Sequence, residues 1–397
     1  MTEKRSNMEP NLSTDVLALG RERSAIRELF EYGKAARARG EKICDLSLGN
    51  PAVPTPAAVT ATMAELISSE PSLALHGYTS APGLYDARAA IAATVKGALP
   101  ELTYVTCGAA AALVIAIKAL VTKKRPEIVI PAPFFPEYRV FTSGAGGRAV
   151  VVPNTGDDFD LDVDGIEKAL TPGTRAVILN SPNNPSGKIY SAEKLAALGK
   201  LLDKKSDELG ERIYIISDEP YREIYYGAKP PFIPDFYPHT VICNSFSKSL
   251  SLPGERIGYL TVFPSADGAE KIFDAACGAG RMLGYVCAPS LMQRVIAEHA
   301  DKKCSVSLYR ENRNVLCSAL TKLGFDFVPP DGAFYLLVKA PDGSSSDMSE
   351  RAKKLGLLIV PGDSFGCPGY ARAAFCVSKE TIRESVPLFA ELKKTYD

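Results

Sequence analysis

An open, doubly wound α/β sheet followed by a smaller α+β unit is the architecture this sequence predicts, on three observations. Apolar runs such as "LTYVTCG", "PEIVIPAP", "TRAVILN", "RIYIISD" and "TVICNSF" are continuous rather than alternating, as strands buried on both faces of a mostly parallel sheet must be. They are interleaved with helical stretches, the repetition that builds such sheets. At 397 residues the chain also exceeds the roughly 250–300 residues at which a single core divides.

The elements can be justified in order. Residues 21–39, "RERSAIRELFEYGKAARAR", place Ile26, Leu29, Phe30 and Ala36 on one helical face, with Gly40 as the stop. A short strand, "KICDLSLG", ends at Gly49. "LTYVTCG" leads into a helix over 109–121, and "PEIVIPAP" and "RAVVVPN" follow as strands. "TRAVILNSPNNP" precedes a helix starting near Ser191, after which come "RIYIISDEPY", "TVICNSFSK" and "RIGYLTVF". Beyond about residue 290 the character changes. One long, kinked helix over 289–323, the hairpin "FDFVPPDGAFYLLVKA", a helix near 347–356, "LLIVPG", "ARAAFCVS" and a terminal helix make up the smaller unit.

Composition excludes several function classes. Lysine plus arginine total 46 against 46 for aspartate plus glutamate, so no basic surplus points to nucleic acid. The nine cysteines show no CxxC or CxH spacing and several lie in apolar runs, which predicts core thiols in a reducing, cytoplasmic setting. Three histidines make a histidine-based metal site improbable, and the expectation is no metal. No apolar run reaches the 18 residues of a membrane span.

Polar, Gly-rich stretches follow the strands: "CGAAA", "NSPNNPSG", "SDEPY" and "NSFSK". Ligands of doubly wound sheets bind at the carboxyl ends of the strands, so these four clusters are candidates for one site. In "NSFSKSLSLPGERIGY", Lys248 sits among serines, with Arg256 eight residues on. A lone lysine is ordinarily a solvated surface group, but a desolvated lysine near another cation loses its proton and attacks a carbonyl. Arg256 and Ser245 are suited to a phosphate. An aldehyde carrying a phosphate describes pyridoxal 5'-phosphate, whose demands the rest of the chain meets. Asp218, just past an apolar strand, suits the pyridine nitrogen. Asn184 and Tyr221 suit its phenolic oxygen, Phe135 its ring face, and Gly108 with Ala109 a strand-to-helix turn for its phosphate. Taken singly, each has a plainer reading: Asp218 as a turn or cap residue, Asn184 as a turn, Phe135 as core packing.

Together, their order resembles the class I/II aminotransferases of the fold type I pyridoxal-phosphate family, similar to aspartate aminotransferase. The resemblance runs from "DLSLGNP" at 45–51 to "RAAFCVS" at 372–378, and its most specific part is the S-x-x-K…R-x-G pattern of "SFSKSLSLPGERIG". It implies a large cofactor-binding domain over 51–288 and a smaller domain from both termini, 1–50 with 289–397. It implies Lys248 as the lysine that bonds the cofactor and moves the proton at substrate Cα, Asp218 on the pyridine nitrogen, and Tyr221 and Asn184 on the phenolic oxygen. Phe135 would stack on the ring. Gly108, Ala109, Ala110, Ser245, Ser247 and Arg256 would line the phosphate, joined by Tyr78 from the neighbouring subunit of a homodimer. Arg372 would clamp the substrate α-carboxylate, with Gly49 and Asn184 close by.

One departure bears on substrate. Some aspartate-using relatives carry a lysine where this chain has Ala110, so Arg281 in "CGAGRMLGY" is the candidate reader of an acidic side chain. The expected function is amino transfer between an L-amino acid, aspartate modestly favoured, and a 2-oxo acid by a ping-pong cycle. A β-lyase on the same fold is the alternative, separated by assaying 2-oxo acid against thiol or ammonia. A ligand-sensing domain of a transcription regulator ranks last, because about 20 residues before the first helix leave no room for a DNA-binding region.

Overall fold

The computed structural model describes residues 12–21, 24–154, 156 and 158–396. Seven strands form the central sheet in the order Thr103–Thr106, Gly258–Val262, Thr240–Ser245, Tyr214–Asp218, Thr174–Asn180, Glu127–Pro131 and Arg148–Val152. Neighbouring strands are parallel except at Gly258–Val262, which runs antiparallel to both of its partners. Every residue of Tyr214–Asp218 and of Glu127–Pro131 is buried. That is why these segments are continuous apolar runs. Side chains on both faces leave water, each large aliphatic one contributing roughly 1.5–3 kcal/mol.

Helices cover both faces. On one, Leu113, Ile115 and Ile117 of the helix Ala109–Leu120 pack with Ile128, Ile178 and Ile216 of the strands. On the other, Leu195, Leu198 and Leu202 of the helix Ala192–Leu209 pack with Val129, Val177 and Ile215. The latter helix starts where expected: Ser191 is its N-cap, accepting from the Lys194 amide at 3.2 Å.

A second core gathers both ends of the chain. Cys44–Asp45 pairs in parallel with Leu357–Leu358, and a four-stranded antiparallel sheet runs in the order Val360–Pro361, Tyr370–Ala374, Tyr335–Lys339 and Phe327–Val328. Leu46, Tyr309, Leu316, Phe334 and Phe389 pack in this core.

Three expectations are corrected. The long helix over 289–323 is two helices, Ser290–His299 and Ser307–Lys322. The polar "DKKCSV" between them bridges two cores, with the Cys304 amide donating to the Ser249 carbonyl at 2.7 Å. The first of the two, expected with the smaller unit, instead buries Met292, Val295 and Ile296 against Val59, Ala87 and Ile91. In the helix Ala25–Ala38, Leu29 and Ala36 are buried as expected while Phe30 is 43% exposed. Glu22 and Arg23, within the expected helix, lie outside the described residues. A separate helix, Thr14–Arg21, precedes it with no buried residue. No helix among the described residues is long and apolar enough to cross a membrane.

Candidate active site

Three adjacent parallel strands end side by side. Their register sets Asn180 opposite Asp218 and Asp218 opposite Cys243. The segments that follow these ends, Ser181–Asn184, Glu219–Tyr221 and Ser245–Lys248, therefore emerge together at the carboxyl edge. They open onto a cavity of about 310 Å³, lined among others by Gly49, Ala109, Ala110, Phe135, Asn184, Asp218, Tyr221, Ser245, Ser247, Lys248, Arg256 and Arg372. Residues as distant in sequence as Ala109 and Ser245 meet here because the sheet winds outward in both directions from its middle.

Lys248 lies on the short helix Phe246–Ser249 and donates through Nζ to the Gly49 carbonyl at 2.6 Å. Burial pushes its amine down to about 8, against the influence of Cys376 and with the cationic Arg372 and Arg256 adding to it. About a tenth of such an amine is neutral at pH 7, and the neutral form is the one a nucleophilic lysine uses.

Asp218 is buried at the end of its strand. Its Oδ2 accepts a hydrogen bond from the Tyr138 hydroxyl, while Oδ1 has no partner among the described residues. Burial raises the carboxyl to about 7, opposed by the Tyr138 bond and reinforced by Glu219. An orphaned buried carboxylate oxygen costs free energy unless a cation or donor meets it. A protonated pyridine nitrogen is a group of that kind.

Arg372 is 2% exposed. Its Nη1 donates to Asn184 Oδ1 at 3.0 Å, its Nη2 to the Ser47 carbonyl, and its Nε has no partner among the described residues. The guanidinium lies 4.6 Å from the ring centre of Tyr335 and 4.9 Å from that of Phe365. Because Asn184 Oδ1 is taken by Arg372, its amide N–H₂ is the end left to donate. Tyr221 Oη lies 3.1 Å from Tyr335 Oη. The Phe135 ring meets Tyr138 edge-on at 5.7 Å.

The helix Ala109–Leu120 starts at Gly108, whose φ is +89°, and no side chain of the described residues caps it. Its conformation calls for glycine, and a Cβ at residue 108 would fall 2.7 Å from Arg256 Nη2 and push that guanidinium aside. Arg256 Nη2 donates to the Cys107 carbonyl at 3.3 Å, and Nη1 to the Pro253 carbonyl at 2.9 Å. Uncapped helix amides, Arg256 and the Ser245 and Ser247 hydroxyls form a cradle for an anion such as phosphate. Gly108 packs behind Arg256 rather than lining the cavity itself.

Two expected residues are not brought here. Tyr78 is 92% exposed, and Arg281 is exposed on the helix Ala269–Met282; neither lines the cavity of its own chain. Sequence reasoning also missed contributors. Asn180 donates through Nδ2 to the Asp218 carbonyl at 2.9 Å and accepts from the Asn184 amide at 2.7 Å. Tyr138 holds Asp218 through its hydroxyl. Tyr335, Ile26, Leu113 and Phe141 complete the wall. Position at the end of "VILN" was the one available signal for Asn180.

Known proteins share this fold. Residues 41–387 match the family described as aminotransferase class I and II, and the chain belongs to that family. It is a pyridoxal-phosphate-dependent aminotransferase, acting on amino acids and 2-oxo acids. An aspartate aminotransferase of Thermotoga maritima is 30% identical over 376 residues, 91% of this chain and 94% of that one. The crystal structure of an aminotransferase from Eubacterium rectale superposes with a TM-score of 0.94 at 47% identity, covering 98% of this chain and 100% of that one. An aspartate aminotransferase of Thermus thermophilus, solved with maleate, has a TM-score of 0.82 at 26% identity, covering 97% of this chain and 100% of that one.

Proposed function

We propose that this chain, as a cytoplasmic homodimer, passes the amino group from an L-amino acid, aspartate favoured, to a 2-oxo acid in two half-reactions at one site. The observation that carries the site assignment is a single cavity combining the near-neutral Lys248 amine, the half-satisfied Asp218 and the buried Arg372. When bound, the cofactor supplies an electron sink that stabilises negative charge at the substrate Cα. The remaining work falls to the chain. Lys248 presents a neutral amine to the aldehyde and carries the proton removed from Cα. Asp218, held by Tyr138, keeps a proton on the pyridine nitrogen. The Asn184 amide and the Tyr221 hydroxyl donate to the phenolic oxygen, and Phe135 covers the ring. Ala109, Ala110, Ser245, Ser247 and Arg256 hold the phosphate, with Gly108 giving Arg256 room. Arg372 receives the α-carboxylate beside Gly49, its planar donors matching two oxygens at once.

Aspartate preference and the dimer are linked. Tyr78 and Arg281 lie outside their own cavity, so their proposed contacts, to phosphate and to an acidic side chain, require reaching across to a partner subunit. Leu73, Met282 and Val286 are exposed by 92%, 75% and 60%, large apolar side chains suited to burial against a second copy. Maleate, the four-carbon dicarboxylate bound to the Thermus protein, supports a dicarboxylic substrate. All nine cysteines are free, in keeping with a reducing compartment. We divide the chain into residues 51–288 and a unit built from 1–50 with 289–397; the packing of Ser290–His299 favours moving that second boundary beyond His299.

Absorbance spectra of the purified protein with pyridoxal phosphate, before and after single amino acids, test the proposal. A visible band that gives way to a near-ultraviolet one on adding aspartate is expected. A band that responds to other amino acids and not to aspartate refutes the preference. A spectrum that no amino acid alters refutes the site assignment.

A further inference from the structure

We infer that Tyr335 is a positioning residue that ties the Tyr221 hydroxyl to the Arg372 guanidinium, coupling cofactor electronics to carboxylate binding through one side chain. The inference rests on the reading of Tyr221 and Arg372 proposed above. Tyr335 opens the strand Tyr335–Lys339 and is 3% exposed. On the neighbouring antiparallel strand Arg372 stands opposite Leu337. Since alternate strand residues share a face, Tyr335 is the diagonal neighbour of Arg372, within reach for an aromatic and a long side chain.

Both ends of the Tyr335 side chain are engaged. Its ring lies against the guanidinium at 4.6 Å, a desolvated cation–π contact. Its hydroxyl lies 3.1 Å from that of Tyr221. Residue 49 leaves space for that hydroxyl by being glycine: a Cβ there would overlap Tyr335 Oη. The rings of Tyr221 and Tyr335 also meet edge-on at 5.7 Å, which limits how either can turn. Burial holds the Tyr221 hydroxyl well above its usual pKa and raises that of Tyr335 to about 12, so both keep their protons at neutral pH.

With both phenols protonated, the direction of their bond follows from the demand on Tyr221. Once Tyr221 donates to the phenolic oxygen of the cofactor, the proton between the two tyrosines comes from Tyr335. A hydroxyl that accepts a hydrogen bond is a stronger donor. Tyr335 thus strengthens the bond from Tyr221 to the cofactor while its ring fixes the plane of the carboxylate clamp.

The test uses the holoenzyme and three variants: Tyr221→Phe, Tyr335→Phe and Tyr335→Leu. The first readout is the pH midpoint of the bound cofactor's visible band; the second is the KM of the amino donor against kcat. A donor on the phenolic oxygen competes with the proton the chromophore gains as pH falls, so weakening that donor raises the midpoint. Lys248, Asp218, Tyr138, Arg256 and Arg372 also line the cavity, and all three variants leave them in place. Tyr335→Phe is expected to raise the midpoint by roughly 0.3–0.6 unit, less than Tyr221→Phe does, with KM within about twofold of wild type. Tyr335→Leu should add a KM increase of up to roughly tenfold, from loss of the ring against Arg372. A midpoint that moves in Tyr221→Phe but not in Tyr335→Phe overturns the coupling and leaves the Tyr221 assignment standing. No shift in Tyr221→Phe removes that assignment, and this inference with it. An unchanged KM in Tyr335→Leu overturns the carboxylate half.

Discussion

Raising the pH of the cofactor-free protein from about 4 to about 8 should weaken its fold through one residue, Asp218. Burial raises its carboxyl from 3.8 to about 7 in the folded chain, with the Tyr138 bond opposing and Glu219 reinforcing. Between those two values the unfolded chain has released its proton and the folded chain still holds it. The unfolded state therefore binds fewer protons across this window, and stability falls as pH rises through it, levelling off above about 7. A separation of about three units at roughly 1.4 kcal/mol each amounts to roughly 4 kcal/mol, an order-of-magnitude figure but a large share of a typical total of about 5–15 kcal/mol. Urea denaturation of the apoprotein at a series of pH values measures it, with Asp218→Asn as the reference. The variant lacks the ionisation, so its stability should stay flatter than wild type between about pH 4 and pH 7. Adding pyridoxal phosphate should remove the contrast, because a pyridinium beside Asp218 favours the ionised carboxylate. Identical pH profiles for wild-type and Asp218→Asn apoprotein would refute the reasoning.

Other outcomes follow from the same geometry. Lys248→Ala should abolish the visible band of covalently held cofactor and leave any cofactor removable by dialysis; a retained covalent band sinks the assignment of Lys248. Arg372→Lys gives up one charge-assisted bond of about 1.5–3 kcal/mol, so the donor KM should rise roughly ten- to a hundredfold. Steady-state kinetics with several donors checks this, and an unchanged KM counts against the clamp. Arg281→Ala should lower the preference for aspartate over alanine; an unaltered ratio shows that some other group reads the side chain.

How much of this was legible in the sequence depended on whether a residue's neighbours along the chain announced its place. Asp218, Asn184 and Lys248 each closely follow an apolar run, and a strand's end in a parallel sheet is an address. Gly108 could be read because a strand-to-helix turn demands its conformation. Tyr335 could not. It follows "GAF" at the start of an apolar strand, where an aromatic side chain normally reads as core, and its significance comes from Arg372 on the adjacent strand. The bond from Tyr138 to Asp218 is hidden for the same reason, spanning 80 residues of sequence. Helical periodicity carried the reading of 289–323 across "DKKCSV", since nothing local records that the chain passes from one core to another there.

The charge balance of the cavity accounts for the pieces together. Among the described residues, Lys248, Arg256 and Arg372 line it with Asp218 as the one carboxylate, and burial lifts that carboxyl towards neutrality. The hydrogen bonds of Arg372 go to an amide oxygen and a carbonyl, neither of which carries a charge. Buried cations without counter-ions are costly, and Lys248 responds by releasing its proton more easily. Arg372 cannot, since a guanidinium stays protonated. It is held instead by two rings and two neutral oxygens until an anion arrives. A phosphate at Arg256 and a carboxylate at Arg372 are the charges this site lacks, and a ring nitrogen that carries a proton is what Asp218 lacks. The same imbalance of charge therefore selects what the cavity binds, and binding a phosphate, a carboxylate and a protonated ring nitrogen should stabilise the fold.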